Sequence, residues 1–359
     1  MAHYKSYDSF KTKRSVEKKN RAKKKSEKQN NDIKDFVIDN TDDYGTVIAV
    51  RYDDAYVLYN NEVVLTKIRP DLNLICNKVL FPGDKVVLQY KSDAICIYHR
   101  LARKTLLSRV KKDSTRLDES VGLTKNIAAN IECAVIVVAA KEPPLHERFI
   151  DRYLMILQDN GIDAIICLNK CELATDEVQR LEIYRDIGIP MIETSARKMI
   201  GIDQLKNYIR GKQTILVGNS GVGKSSLINA IMQQDEIKTS SVSEKSKKGC
   251  HTTTASKYYI WDSESSIIDT PGIRSLDVSS FNVNEIQDYF PEFNDWKTLC
   301  KYKNCLHYNE PYKSCMVKQG VRGGMINKTR YDSYVRIIGD ITNQVFNDDI
   351  EQHWESEKY

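Results

Sequence analysis

Gly218-Asn219-Ser220-Gly221-Val222-Gly223-Lys224-Ser225 follows the apolar run Ile215-Leu216-Val217 and leads into Ser226-Leu227-Ile228-Asn229-Ala230. A buried strand, a glycine-rich turn and a helix start make a phosphate-binding loop. The glycines let backbone N–H groups turn toward phosphate oxygens, and the helix N-terminus adds its dipole. Lys224 is placed to contact the β- and γ-phosphates, and the Ser225 hydroxyl to ligate Mg²⁺. Ser226 closes the cradle at the first helical turn. A glycine-rich turn that binds nothing is the bland alternative, and the flanking strand and helix argue against it.

Two further segments point to the same phosphates. Ser266-Ile267-Ile268 runs into Asp269-Thr270-Pro271-Gly272. A carboxylate at that strand end can orient Mg²⁺ and its waters, and Gly272 can bring a backbone N–H to the γ-phosphate. Alone, Asp-x-Pro-Gly is also an ordinary turn. Between the two lies Gly249-Cys250-His251-Thr252-Thr253-Thr254, in a polar stretch that reads as a loop. One of its Thr hydroxyls, Thr253 in our reading, can complete the Mg²⁺ shell once the γ-phosphate is present.

A base-reading motif stands upstream. Asn169-Lys170-Cys171-Glu172 follows the apolar strand Ala164–Leu168. Guanine presents two donors on one edge, and the Glu172 carboxylate can accept both. Asn169 can brace the loop and reach the other edge of the base. The Lys170 stem can lie along the ring. Ser195-Ala196, after the strand Met191–Glu193, can offer a backbone N–H to the base oxygen. In most GTPases the phosphate loop comes first and the base reader last. Here the order is reversed, as happens when a chain is cut elsewhere and its neighbouring termini are joined.

Strand-length runs Cys133–Val138, Ala164–Leu168, Met191–Glu193 and Thr214–Val217 alternate with helix-length runs near 147–160, 176–187, 202–210 and 224–232. That alternation predicts βαβ units and a parallel sheet. Before it, Thr46–Arg51, Ala55–Tyr59, Glu62–Ile68, Val86–Tyr90 and Ala94–His99 read as five short strands, which suggest a barrel of the OB type. Arg100–Asn130 reads as a basic connection. Beyond Phe281 we expect a polar helix, a Cys/His cluster and a final amphipathic helix near 326–342.

The fold class is therefore multidomain α/β. It comprises a basic arm and linker over 1–40, an OB-type barrel over 41–105, a permuted GTPase over 106–280 and a zinc-binding helical region over 281–359. The cluster Cys300-x4-Cys305-x-His307-x7-Cys315 supplies three thiolates and an imidazole, a full tetrahedral set for one structural Zn²⁺. Unpaired buried thiols are the alternative. Between Lys5 and Lys28 lie eleven Lys/Arg and three acidic residues, a run suited to nucleic acid or to solubility. No run approaches the roughly 18 apolar residues of a membrane span. Nine Cys in a long chain without an export signal point to a cytoplasmic setting.

With this motif order, a β-rich region before and a Cys/His cluster after, the chain resembles the RsgA (YjeQ) family of small-subunit biogenesis GTPases. Ile127-Ala128-Ala129-Asn130 and Gly83-Asp84-Lys85-Val86 match the same family. The resemblance implies hydrolysis of GTP to GDP, stimulated by the small ribosomal subunit, in late maturation of that subunit. It implies the subunit and its rRNA as partners, Mg²⁺ with GTP, and a monomer. The residue after Asp-x-x-Gly is Ile273, which cannot hold water. The resemblance assigns that catalytic work to His251. The chain has Cys250 where the family usually has Arg, Glu172 where it usually has Asp, and a longer gap before Cys315. Alternative readings are an RNA-binding assembly factor with an inert nucleotide site, and a P-loop NTPase with a non-ribosomal target.

Overall fold

The computed structural model describes residues 43–51, 53–69, 80–91, 94–110, 124–233, 257–262, 264–269, 278 and 281–342. Five strands, β1 Asp43–Val50, β2 Asp54–Tyr59, β3 Glu62–Ile68, β4 Lys85–Lys91 and β5 Ala94–Arg100, form a closed barrel in the order β1-β2-β3-β5-β4. Alternation sends Val47, Ala55, Val57, Val86, Leu88 and Ile97 inward to a common core. Asn60 and Asn61 both take positive φ, 50° and 62°, which the two-residue turn between β2 and β3 requires.

The stretch Arg100–Asn130 is more than a connection. It contains β6 Leu106–Val110 and β7 Thr124–Ala129, paired antiparallel. The Gly83-Asp84 turn of the barrel meets this ribbon. The Ala129 N–H donates to the Pro82 carbonyl (2.9 Å), and the Asn130 side chain donates to the Gly83 carbonyl (2.9 Å). The two strings that match the family outside the GTPase motifs are thus one joint in space.

The second sheet runs β10-β9-β8-β11-β13-β12, with β8 Cys133–Ala139, β9 Asp163–Asn169, β10 Met191–Glu193, β11 Gln213–Val217, β12 Lys257–Ile260 and β13 Ser266–Asp269. Every pairing is parallel except β12 with β13. All seven residues of β8 are buried, as expected of a strand covered on both faces. Ala134, Ile136 and Val138 face a core shared with helix α1 Glu147–Asp159 and α2 Glu177–Asp186. Val135 and Val137 face the core of α3 Ile202–Ile209 and α4 Lys224–Gln233.

The C-terminal region packs on the α1 side through Phe290, Phe293 and Tyr334, which belong to the same core. It holds α5 Asn294–Lys297, α6 Met316–Arg322 and α7 Lys328–Thr342. The polar helix expected after Phe281 is instead two 3-10 turns, Val283–Tyr289 and Pro291–Phe293, because Pro291 interrupts the run. Arg330 of α7 is buried, pairs with Asp151 of α1, and donates to both oxygens of Glu292 (2.7 and 3.2 Å). No helix among the described residues is long and apolar enough to cross a membrane.

Candidate functional site

Strand register brings the motifs together. Leu216 pairs with Asp269, Val217 with Ile136, Ala139 with Asn169, and Leu168 with Glu193. The loop 218–223, Asp269, Asn169–Glu172 and Ser195-Ala196 therefore all lie at the carboxyl ends of parallel strands, on one edge of the sheet. In open α/β sheets that edge is where ligands bind.

Within the phosphate loop the glycines are sterically required. Gly218 has φ 155°, and a Cβ there would stand 2.4 Å from the Val137 carbonyl oxygen. Gly223 has φ 97°, and its Cβ would stand 2.2 Å from Asn169 Nδ2. The Lys224 ammonium donates to the carbonyls of Gly218 and Asn219, both at 2.8 Å, so its charge lies over the loop. Val222 is buried, while Ser220, Gly221, Ser225 and Ser226 are exposed at the mouth of the loop and on the first turn of α4.

Asn169 joins the two halves of the site. Its amide donates to the Val222 carbonyl (2.9 Å), and its Oδ1 accepts from the Ala196 N–H (3.2 Å) and the Thr194 hydroxyl (3.3 Å). The bracing expected of Asn169 is thus directed at the phosphate loop and at Ser195-Ala196 together. Lys170 takes the left-handed conformation, φ 58°, and its ammonium donates to the Glu142 carbonyl. The residue after Glu142, Pro143, lies beside Gly221. A hydrogen bond from Ser195 lowers the pKa of Glu172, keeping it an anion. One carboxylate oxygen, Oε2, is shielded from solvent and has no hydrogen-bond partner among the described residues.

Asp269 ends β13 in line with the loop. His251 and Thr253, with the string 249–254 around them, and Gly272 lie outside the described residues.

The second cluster is metal-shaped. Ligand atoms of Cys300, Cys305, His307 and Cys315 all lie within 4.8 Å of one another. His307 Nδ1 is 3.6 Å from Cys300 Sγ and 3.5 Å from Cys315 Sγ. Tetrahedral coordination with Zn–S near 2.3 Å sets ligand atoms about 3.7 Å apart. His307 Nε2 is 2.9 Å from the Gln287 Oε1 acceptor, so the ring proton belongs on Nε2 and the Nδ1 lone pair faces the sulfurs. Burial pushes the His307 pKa down to about 4, keeping the imidazole neutral. Burial also pushes the Cys315 thiol up to about 11 and raises that of Cys305. A cation among the sulfurs reverses that penalty. The donor set fits Zn²⁺. Sequence reasoning passed over Glu310, whose two oxygens accept from the N–H groups of Leu306 (2.6 Å) and Tyr308 (2.9 Å) and so hold His307 at φ 56°.

Comparisons with known proteins agree with this geometry. The RsgA GTPase family model matches residues 100–279. The protein named small ribosomal subunit biogenesis GTPase RsgA in Clostridium perfringens is 38% identical over 229 residues, covering 63% of this chain and 79% of that one. Its namesake in Borreliella burgdorferi is 36% identical over 267 residues, covering 74% and 83%. Among solved structures, YjeQ from Thermotoga maritima superposes with a TM-score of 0.66 at 28% identity, covering 85% of this chain and all of that one. YloQ, described as a circularly permuted GTPase, superposes at 0.63 with 26% identity, covering 88% and 100%. With motifs reversed along the sequence yet gathered on one sheet edge, the chain belongs to the RsgA GTPase family of circularly permuted GTPases.

Proposed function

We propose that this chain hydrolyses GTP to GDP and phosphate during late maturation of the small ribosomal subunit, which stimulates it. The observation that carries the reading is the Asn169 side chain, which ties the phosphate loop to the base-reading loops although fifty-three residues separate Asn169 from Val222. The relatives from Clostridium perfringens and Borreliella burgdorferi are named for biogenesis of that subunit, and this chain spans most of their length.

The roles follow from chemistry. Backbone N–H groups of Gly218–Lys224 cradle the phosphates, and Lys224 exchanges its two loop carbonyls for phosphate oxygens. Ser225, Asp269 and Thr253 would hold Mg²⁺. When bound, that ion neutralises charge on the β- and γ-phosphate oxygens. Glu172 accepts the two guanine donors, with Ser195 fixing its carboxylate. The Lys170 stem and the Ala196 N–H complete the base pocket, and Gly272 reaches the γ-phosphate. His251 orients the attacking water. Cys300, Cys305, His307 and Cys315 would hold one structural Zn²⁺, which would cross-link the 300–315 segment. We divide the chain at 40, 105 and 280, and take it to act in the cytoplasm as a monomer that contacts rRNA.

The test is GTP turnover with and without purified small subunits, for the wild type and for His251→Ala. Subunit-dependent acceleration in the wild type, lost in the variant, is expected. No turnover in either condition refutes the enzyme. Full stimulation of His251→Ala removes that residue from the mechanism.

A further inference from the structure

A buried chain of polar groups begins at the barrel and ends beneath the nucleotide site. In the barrel turn, Asp84 is fully buried and accepts from Arg103 Nε (2.6 Å) and Nη2 (2.7 Å), and from the Phe81 N–H (2.8 Å). That turn is held against Ala129 and Asn130 as described above. Gln213, the first residue of β11, donates through Nε2 to the carbonyls of Ala129 (2.6 Å) and Asn130 (3.1 Å). Its Oε1 accepts from the Tyr258 hydroxyl (2.7 Å). The Tyr258 oxygen in turn accepts from the Ser266 hydroxyl (3.0 Å). A Cβ on Gly83 would stand 2.1 Å from the Ala129 carbonyl and 2.3 Å from Gln213 Nε2, so barrel turn and hub are in direct contact.

The positions of these residues along their strands give the chain its meaning. Gln213 opens β11, whose far end is the phosphate loop. Ser266 opens β13, whose far end is Asp269. Tyr258 sits on β12, four residues beyond Thr254. The two strands that lead to the nucleotide site, β11 and β13, are thus tied at their starts to one hub; Tyr258 reaches that hub from antiparallel β12, where it stands opposite Ile268, and the remaining arm is the barrel. Buried and fully engaged hydrogen-bond networks are stiff, because an alternative arrangement leaves a desolvated group without a partner. Coupling between distant sites travels through such contiguous networks.

We propose that Gln213, Tyr258 and Ser266 couple the barrel to the nucleotide site, with Tyr258 as the positioning residue that sets β12 and β13 against β11. The Tyr258 hydroxyl bonds Gln213 and Ser266, neither of which is assigned to nucleotide or metal. It acts through β13, which carries Asp269, and β12, which begins three residues after Thr254.

A double-mutant cycle in the free full-length protein tests this without any ribosomal component. Asp84→Asn loosens the barrel turn, and amide hydrogen exchange is read at Ile267, Ile268 and Asp269. We expect Asp84→Asn to speed exchange there about tenfold in the wild-type background and less than twofold in Tyr258→Phe. An equal factor in both backgrounds, or no effect in the wild type, overturns the coupling. If Asp84→Asn does not fold, Arg103→Lys perturbs the same turn, and Ser266→Ala can replace Tyr258→Phe as the cut. A second arm rests on the function proposed above. Tyr258→Phe should keep unstimulated turnover, KM for GTP and subunit binding within twofold, while losing about tenfold of the stimulation. Undiminished stimulation overturns the coupling. No stimulation of the wild type overturns the proposed function, and the exchange cycle still decides the coupling.

Discussion

Replacing Arg330 by Met should loosen the C-terminal region from the GTPase sheet more than any other single change on that face. Arg330 is 2% exposed; its guanidinium pairs with Asp151 and with both oxygens of Glu292, and lies 4.5 Å from the Phe290 ring centroid and 5.5 Å from that of Tyr184. Met preserves much of the stem's volume but strands two carboxylates. Removing one partner of a buried pair costs about 3–5 kcal/mol. Asp151 can relieve part of this by taking up a proton. Burial already raises its pKa, and the Arg330 charge is the largest influence opposing that rise. We therefore expect a loss of about 4 kcal/mol near neutral pH. At about 2–4 °C per kcal/mol for a unit of this size, the apparent Tm falls by about 10 °C.

The pH dependence has a definite sign. In the variant the Asp151 pKa lies further above its unfolded value of 3.8. Its favourable contribution is then complete below that value and lost as pH rises through the folded pKa. The gap to the wild type should narrow on acidification. The double variant Arg330→Met/Asp151→Asn should regain about half the loss. Calorimetry, with urea titration followed by tryptophan fluorescence, reads all three proteins. A single-variant loss below about 1 kcal/mol, or a double variant no better than the single, would refute the reasoning.

Other outcomes can be checked directly. Purified protein should carry about one zinc per chain. Cys305→Ser should expose residues 281–342 to protease, and unchanged resistance after chelation would deny the metal a structural role. Gly223→Ala should weaken GDP binding by about 10–100-fold, because its Cβ displaces the Asn169 amide and breaks its hydrogen bonds. Normal affinity would mean that the loop tolerates what this geometry forbids. Ser195→Ala removes the hydrogen bond that depresses the Glu172 pKa, so the acid limb of GDP binding should move up toward the ordinary value of 4.5. A limb that does not move would show that Ser195 leaves the carboxylate untouched.

What was legible in the sequence was what local backbone or ligand chemistry demands. Gly218, Gly221 and Gly223 adopt positive φ, and such a turn declares itself by its glycines. The metal cluster declares itself by spacing, because four soft ligands must converge. The barrel strands and the βα alternation were visible as hydrophobic period, and β3 and β10 fall on their expected limits, Glu62–Ile68 and Met191–Glu193. The ribbon β6–β7 was hidden because Ser108, Arg109, Lys125 and Asn126 break the apolar pattern of its strands within a stretch dense in basic residues. Ile286, Tyr289, Phe290 and Phe293 recur at the i, i+3, i+4, i+7 intervals of an α-helix, so only Pro291 hinted that the run would break into 3-10 turns. Asp84, Asp151, Gln213, Tyr258 and Arg330 look like ordinary surface letters. Their buried partners include residues 19 to 179 positions away, and no local pattern announces such a pairing.

The strand order also bears on how the chain is born. β8, apolar throughout, pairs on one side with β9 but on the other with β11, which begins at Gln213, seventy-three residues beyond Ala140. During synthesis the half that carries Asn169–Glu172 emerges first as a three-stranded βαβαβ unit with one naked, oily edge. That edge waits for the strand that bears the triphosphate loop. Permutation thus makes the most central pairing of the sheet wait for a strand made much later, and leaves a nascent chain with reason to find a chaperone before it finds a nucleotide.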